Sequence, residues 1–126
     1  MAKDKIEQHI KYCLSLKAEE LLYEAFKFFN KNVEIAVSFG AEDVVLIDMV
    51  SKLNIDIGIF TIDTQRLNEE TYDLMKEIKQ KYNIKIEILY PNELSVKKMI
   101  EAKGINLFYD SVENRKECCG VRKVSP

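Results

Sequence analysis

The residue types best suited to chemistry cluster near the C-terminal end, in Glu117-Cys118-Cys119-Gly120-Val121-Arg122-Lys123-Val124. A lone cysteine usually serves as a small buried hydrophobe. Two adjacent ones, followed by a pair of cations, fit metal ligation better than packing. Zinc sites favour CxxC spacing and often histidine, but the single histidine, His9, is remote and reads as a surface residue. An iron–sulfur cluster takes four thiolates. The chain has three cysteines, and Cys13 is distant in sequence, so one copy does not complete such a site. A thiol whose pKa is lowered by Arg122 and Lys123 would instead be a nucleophile, a role that ligation excludes. Arg122 and Lys123 alone read as a solvated helix end; beside thiolates they read as cations facing a cluster or a substrate anion.

Two earlier stretches carry weaker signals. Ser38-Phe39-Gly40-Ala41-Glu42-Asp43 is a small-residue turn opening a helix, where free N–H groups and the helix dipole suit phosphate. Ser38 adds a hydroxyl, and neither GxGxxG nor GxxxxGK[ST] is present. The alternative is a tight turn with Glu42 and Asp43 as first-turn acids. Thr61-Ile62-Asp63-Thr64-Gln65-Arg66-Leu67 ends a strand. Here Asp63 and Thr64 either cap the next helix or orient a ribose, and Arg66 can meet an anion. Asn68-Glu69-Glu70-Thr71 also looks like cap chemistry.

These motifs need a scaffold. Apolar periodicity predicts helices over 4–16, 18–30, 42–53, 68–82 and 92–103, the last ended by Gly104. Strands are expected over 33–37, 55–62 and 84–89, then a loop over 105–113 and a short helix over 114–120 carrying the cysteines. The helix over 42–53 is apolar nearly all round, as a helix packed tightly against a sheet is. Strand–helix alternation, with strand starts roughly 25 residues apart, predicts an α/β fold: a parallel sheet with helices on both faces. Ligands of such sheets lie at the C-terminal edge of the strands, so the loops after Val37, Ile62 and Leu89 should line the site. The 126 residues make one domain: N-terminal helices over 1–30, a βαβ core over 33–104 and the cysteine/basic motif over 114–126.

Composition narrows the function classes. A chain 47% hydrophobic and 32% charged is globular rather than disordered. Net charge of −2 gives no reason to expect nucleic acid. No apolar run reaches about 18 residues, so no membrane span is expected, and the charged N-terminus lacks a signal peptide's apolar stretch. A cytoplasmic location follows, with cysteines as thiols or metal ligands.

Taken in order, SFGAEDVVLIDMV at 38–50, GIFTIDTQRLNEETYDL at 58–74 and ECCGVRKVSP at 117–126 resemble the adenylyl-sulfate (APS) reductases, the iron–sulfur relatives of phosphoadenylyl-sulfate (PAPS) reductases. The resemblance implies an adenine-nucleotide α-hydrolase-like (HUP-type) fold. It also implies reduction of APS to sulfite and AMP in sulfate assimilation and cysteine biosynthesis, with thioredoxin or glutaredoxin as thiol donor. It places Ser38, Gly40, Asp63 and the backbone of Ile62 near the nucleotide, and Lys123, with its neighbour Arg122, near the anionic end, where Arg66 joins them as a substrate-binding candidate from its place in the TIDTQR stretch. It makes Cys118 and Cys119 two ligands of a [4Fe–4S] cluster, with Lys123 between cluster and phosphosulfate. The cysteine pair favours APS over PAPS.

Two departures stand out. Gln65 replaces the family's usual glycine, although Gln resists φ > 0. The family's second CxxC pair and C-terminal nucleophilic cysteine do not occur in residues 1–126, so no catalytic nucleophile is assigned and the sheet is expected to be incomplete. The sequence therefore also suits a non-catalytic adenine-nucleotide-binding module, or a PAPS reductase. An ATP-cleaving sulfate adenylyltransferase is disfavoured, because SFGAED is poorer in glycine than the SGGxDS turn of those enzymes. An exposed parallel edge strand invites pairing with another chain, giving a homo-oligomer.

Overall fold

The computed structural model describes residues 2–126. Two helices, α1 (Ala2–Cys13) and α2 (Ala18–Phe28), precede an alternating run: β1 (Glu34–Ala36), α3 (Ala41–Leu53), β2 (Gly58–Ile62), α4 (Glu69–Tyr82), β3 (Glu87–Leu89) and α5 (Glu93–Lys103). A 3-10 turn (Leu107–Tyr109) leads to α6 (Val112–Cys119), which runs into a π-helical turn (Gly120–Val124). The expected elements are all present, and several strands are shorter than their apolar runs. Segment 105–113, expected as loop, instead holds the 3-10 turn and the start of α6. There Ser111 caps α6, its hydroxyl accepting from the Asn114 N–H at 3.1 Å.

The three strands are parallel, in the order β1-β2-β3. Ile35 pairs with Ile59 in the first ladder, and Thr61 with Ile88 in the second. Side chains alternate across the sheet. Val37, Ile59 and Ile86 are buried against Ile47 of α3 and Met75 and Ile78 of α4, which makes the main core. Sequential strands joined by right-handed crossovers put both helices on one face, and α3 and α4 do touch. On the opposite face Glu34, Ala36, Gly58 and Glu87 are exposed and Phe60, Ile62 and Leu89 half-buried.

Helix ends explain the short connections. Asn54 after α3 and Asn83 after α4 adopt left-handed conformations, the usual non-glycine solution for a C-terminal cap. The Asn92 side chain caps α5 by accepting from the Ser95 N–H at 3.0 Å. A second, smaller core of Met99, Leu107 and Cys118, flanked by Phe108 and Val121, ties α5 to α6. Lys103 on α5 also pairs with Glu117 on α6. His9 is half-buried rather than a free surface residue, because its ring stacks on Phe28 with centroids 4.0 Å apart.

Candidate functional site

The turn after β1 is folded by a carboxylate. Asp43, in the first turn of α3, accepts through Oδ2 from the Ser38 N–H at 2.7 Å, the Ser38 hydroxyl at 3.0 Å and the Gly40 N–H at 3.4 Å. These bonds, the Ser38 N–H first, hold the Asp43 carboxyl below its ordinary pKa. The turn does gather donors as an anion-binding loop would, but Asp43 fills it. Phe39 sits at φ 65° with its ring buried in the core.

The turn after β2 is held differently. Asp63 Oδ1 accepts from the Gln65 N–H and from the Tyr72 hydroxyl of α4, both at 2.7 Å. Burial first, then Asp63, pushes the Tyr72 hydroxyl's pKa up. Gln65 takes φ 63°, so the conformation that suits glycine is imposed on glutamine. Asp63 and Thr64 do not cap α4: its N-cap is Asn68, and the Thr64 hydroxyl accepts from the Arg66 N–H at 3.2 Å.

This second turn is tied to the cysteine segment. Arg66 Nη2 donates to Asn106 Oδ1 at 2.8 Å, and its guanidinium lies 5.3 Å from the centre of the Phe108 ring. From the π-helical turn, Arg122 Nη1 donates to the Thr64 carbonyl at 2.8 Å. Arg122 is only 4% exposed, and its Nε has no partner among the described residues. No carboxylate pairs with it there. A buried cation satisfied by one carbonyl carries an uncompensated charge, which an incoming anion would relieve.

Two cavities meet at this edge. One of about 340 Å³ lies over the strand ends, between Ser38, Phe60, Ile62, Thr64 and Lys123. The other, about 230 Å³, holds Arg66, Arg115, Cys118, Cys119 and Arg122, and shares Thr64 and Lys123 with the first. Among the expected site residues, Ser38, Ile62 and Lys123 line the first and Arg66, Cys118, Cys119, Arg122 and Lys123 the second. Gly40 and Asp63 line neither: the Gly40 N–H turns to Asp43, and Asp63 Oδ1 is taken by the Gln65 N–H and by Tyr72 of α4. A larger cavity of about 480 Å³ opens at the strand starts. Its exposed Glu34, Asp56 and Glu87 would repel an anion, and α/β sheets bind ligands at the opposite edge.

The cysteines divide: Cys118 is buried in the smaller core and Cys119 is exposed. Among the described residues no group of three or more His, Cys, Asp or Glu side chains is arranged to hold a metal. A four-thiolate cluster therefore does not fit the donors present, which supply two adjacent thiols. Sequence reading missed Arg115, Asn106, Phe108 and Tyr72. Arg115 was detectable, since 115, 118, 119 and 122 follow the i, i+3, i+4, i+7 spacing of one helix face. Tyr72 and Asn106 carry no such local signal, because their partners are remote in sequence.

Residues 32–126 match the model of the phosphoadenosine phosphosulfate reductase domain. An adenosine 5'-phosphosulfate reductase of Pseudomonas aeruginosa is 39% identical over 108 residues, covering 86% of this chain and 39% of that protein. A probable chloroplastic 5'-adenylylsulfate reductase 1 of Oryza sativa is 38% identical over 107 residues, covering 85% of this chain and 22% of that one. The chain thus spans well under half the length of these curated relatives. A crystal structure of a phosphoadenylyl-sulfate (PAPS) reductase from Candida auris superposes with a TM-score of 0.82 at 25% identity, over 100% of this chain and 60% of that one. The matched span holds both strand-end turns and the cysteine segment, so the chain belongs to the phosphoadenosine phosphosulfate reductase domain family.

Proposed function

We propose that this chain forms the nucleotide- and sulfate-facing part of an adenylyl-sulfate reductase, a cytoplasmic enzyme of sulfate assimilation leading to cysteine. The supporting observation is that Lys123 borders both cavities. In this reading Lys123 stands between a ligand's adenylyl portion, over the strand ends, and its anionic portion beside the cysteines. APS has that division: an adenosine at one end and a phosphosulfate at the other. Arg66, Arg115 and the orphaned Nε of Arg122 supply the positive wall. Ser38 reaches an incoming phosphate only by exchanging its Asp43 partner. The reaction assigned is two-electron reduction of APS to sulfite and AMP, with thioredoxin or glutaredoxin supplying the electrons. A [4Fe–4S] cluster belongs to the same reading only if two further thiolates join Cys118 and Cys119, and no step is assigned to it.

Calorimetry tests the reading. APS should bind tighter than AMP, and Lys123→Ala should weaken APS about tenfold while changing AMP less, since a charge-assisted contact to the anionic end is lost. Equal weakening of both ligands would remove Lys123 from the anionic end, and no binding of either would sink the proposal. Binding of AMP with no preference for APS would favour a non-catalytic nucleotide module.

A further inference from the structure

Cations on this molecule are held in two ways. Away from the C-terminal strand edge, lysines pair with carboxylates: Lys27 with Glu24 at 2.9 Å, Lys52 with Asp48 at 2.6 Å, and Lys103 with Glu117. Around the cavity beside the cysteines the pattern reverses. Among the described residues no carboxylate pairs with Arg66, Arg115, Arg122 or Lys123. Guanidiniums there donate to neutral oxygens instead. Arg122 Nη1 meets the Thr64 carbonyl, and Arg66 Nη2 meets the Asn106 amide oxygen, both at 2.8 Å.

The difference matters for anion binding. A carboxylate orients a guanidinium strongly but offsets its charge. An amide oxygen engages one of its five donors and leaves the charge to an incoming anion. Asn106 stands on anchored backbone. It directly precedes the 3-10 turn, whose Leu107 is fully buried, and its carbonyl accepts from the Tyr109 N–H at 3.0 Å. Phe108 of the same turn packs against the smaller core and sets its ring centre 5.3 Å from the Arg66 guanidinium. Amide and ring thus hold a long side chain before any ligand arrives, which removes part of the ordering cost of binding. Arg66 and Phe108 line the cavity, and Asn106 does not.

We infer that Asn106 is a positioning residue for the anionic end of the ligand: it holds Arg66 at the cavity beside the cysteines with a neutral acceptor, so that the guanidinium keeps its charge for the anion. The identity of that anion, a phosphosulfate, rests on the proposed function. The contact between Asn106 and Arg66 does not.

Inorganic sulfate is the first probe, titrated into the 126-residue chain and followed at the Arg66 Nε–H resonance. It should shift that resonance with a dissociation constant below about 50 mM. Asn106→Asp should weaken sulfate about tenfold and Asn106→Ala about threefold, with unchanged circular dichroism. The order separates the roles, because aspartate preserves a merely structural hydrogen bond while offsetting the charge. In an Arg66→Gln background the Asn106→Asp effect should fall below about twofold, since it acts through Arg66. APS should follow sulfate across these variants, with AMP changed less. An alanine variant weaker than the aspartate one overturns the inference. So does an aspartate penalty that survives the loss of Arg66, which would be a general effect of added negative charge. An Arg66 resonance that sulfate leaves unmoved overturns it too. If sulfate behaves as expected while neither APS nor AMP binds, the proposed function falls and the role of Asn106 toward anions stands.

Discussion

The turns after β1 and β2 solve one problem in two ways. Each ends a parallel strand, each places a non-glycine residue in the left-handed region, and each is folded by an aspartate. After β1, the aspartate comes from the following helix, and Phe39 uses its unusual backbone to drive an aromatic ring into the core. After β2, the aspartate comes from the strand end and is held by Tyr72, while Gln65 stays exposed and buries nothing. The first turn is closed on itself. The second passes its Thr64 carbonyl to Arg122 and so joins the cysteine segment to the sheet. Backbone strain is repaid by core burial in one turn and by long-range tethering in the other.

Glycine substitutions break this comparison most sharply. Phe39→Gly relieves the backbone but empties a buried aromatic site, and should destabilise by about 3 kcal/mol, read from the urea midpoint. If the cost were near zero, the ring would not be anchoring the turn. Next in size is Asp43→Asn, expected to cost about 1.5 kcal/mol because an ionised acceptor of three donors is replaced by an amide. Its pH signature has a definite sign. Asp43 titrates below its unfolded value, so its contribution is complete above roughly pH 4 and fades as pH falls through the folded pKa. The wild-type chain should therefore lose more stability than Asp43→Asn between about pH 5 and pH 2. Parallel curves would mean that the three donors do not prefer the charged form. The smallest effect is Gln65→Gly, expected to stabilise by about 0.5 kcal/mol, since relief of the left-handed strain outweighs glycine's added unfolded-state entropy. Opposite signs for Phe39→Gly and Gln65→Gly are the outcome that separates the two turns.

Much of the architecture was legible because its signals are local. The alternation of apolar strands with helices such as 68–82 follows from periodicity, and the ordered SFGAED, TIDTQR and ECCGVRK stretches carried the family. The α6 start was not legible, since residues 105–116 are mostly polar and their apolar members follow no single period. The site was legible by residue type more than by role. Lys123 and the cysteines line cavities at the strand edge, whereas Gly40 and Asp63 line neither. Arg122, a plausible surface cation in sequence, is buried against Thr64.

The sequence by itself determined the strands and the helices up to residue 103, and which side chains are available as thiols, cations and carboxylates, because period and residue type are properties of neighbours along the chain. Tertiary structure decided which of those groups remain free. Asp43 takes the donors of its own loop, Tyr72 holds Asp63 across nine residues, and Arg122 reaches Thr64 across fifty-eight. A polar side chain satisfies whichever partner the packed sheet brings within about 3 Å, and that choice is made only when distant segments meet.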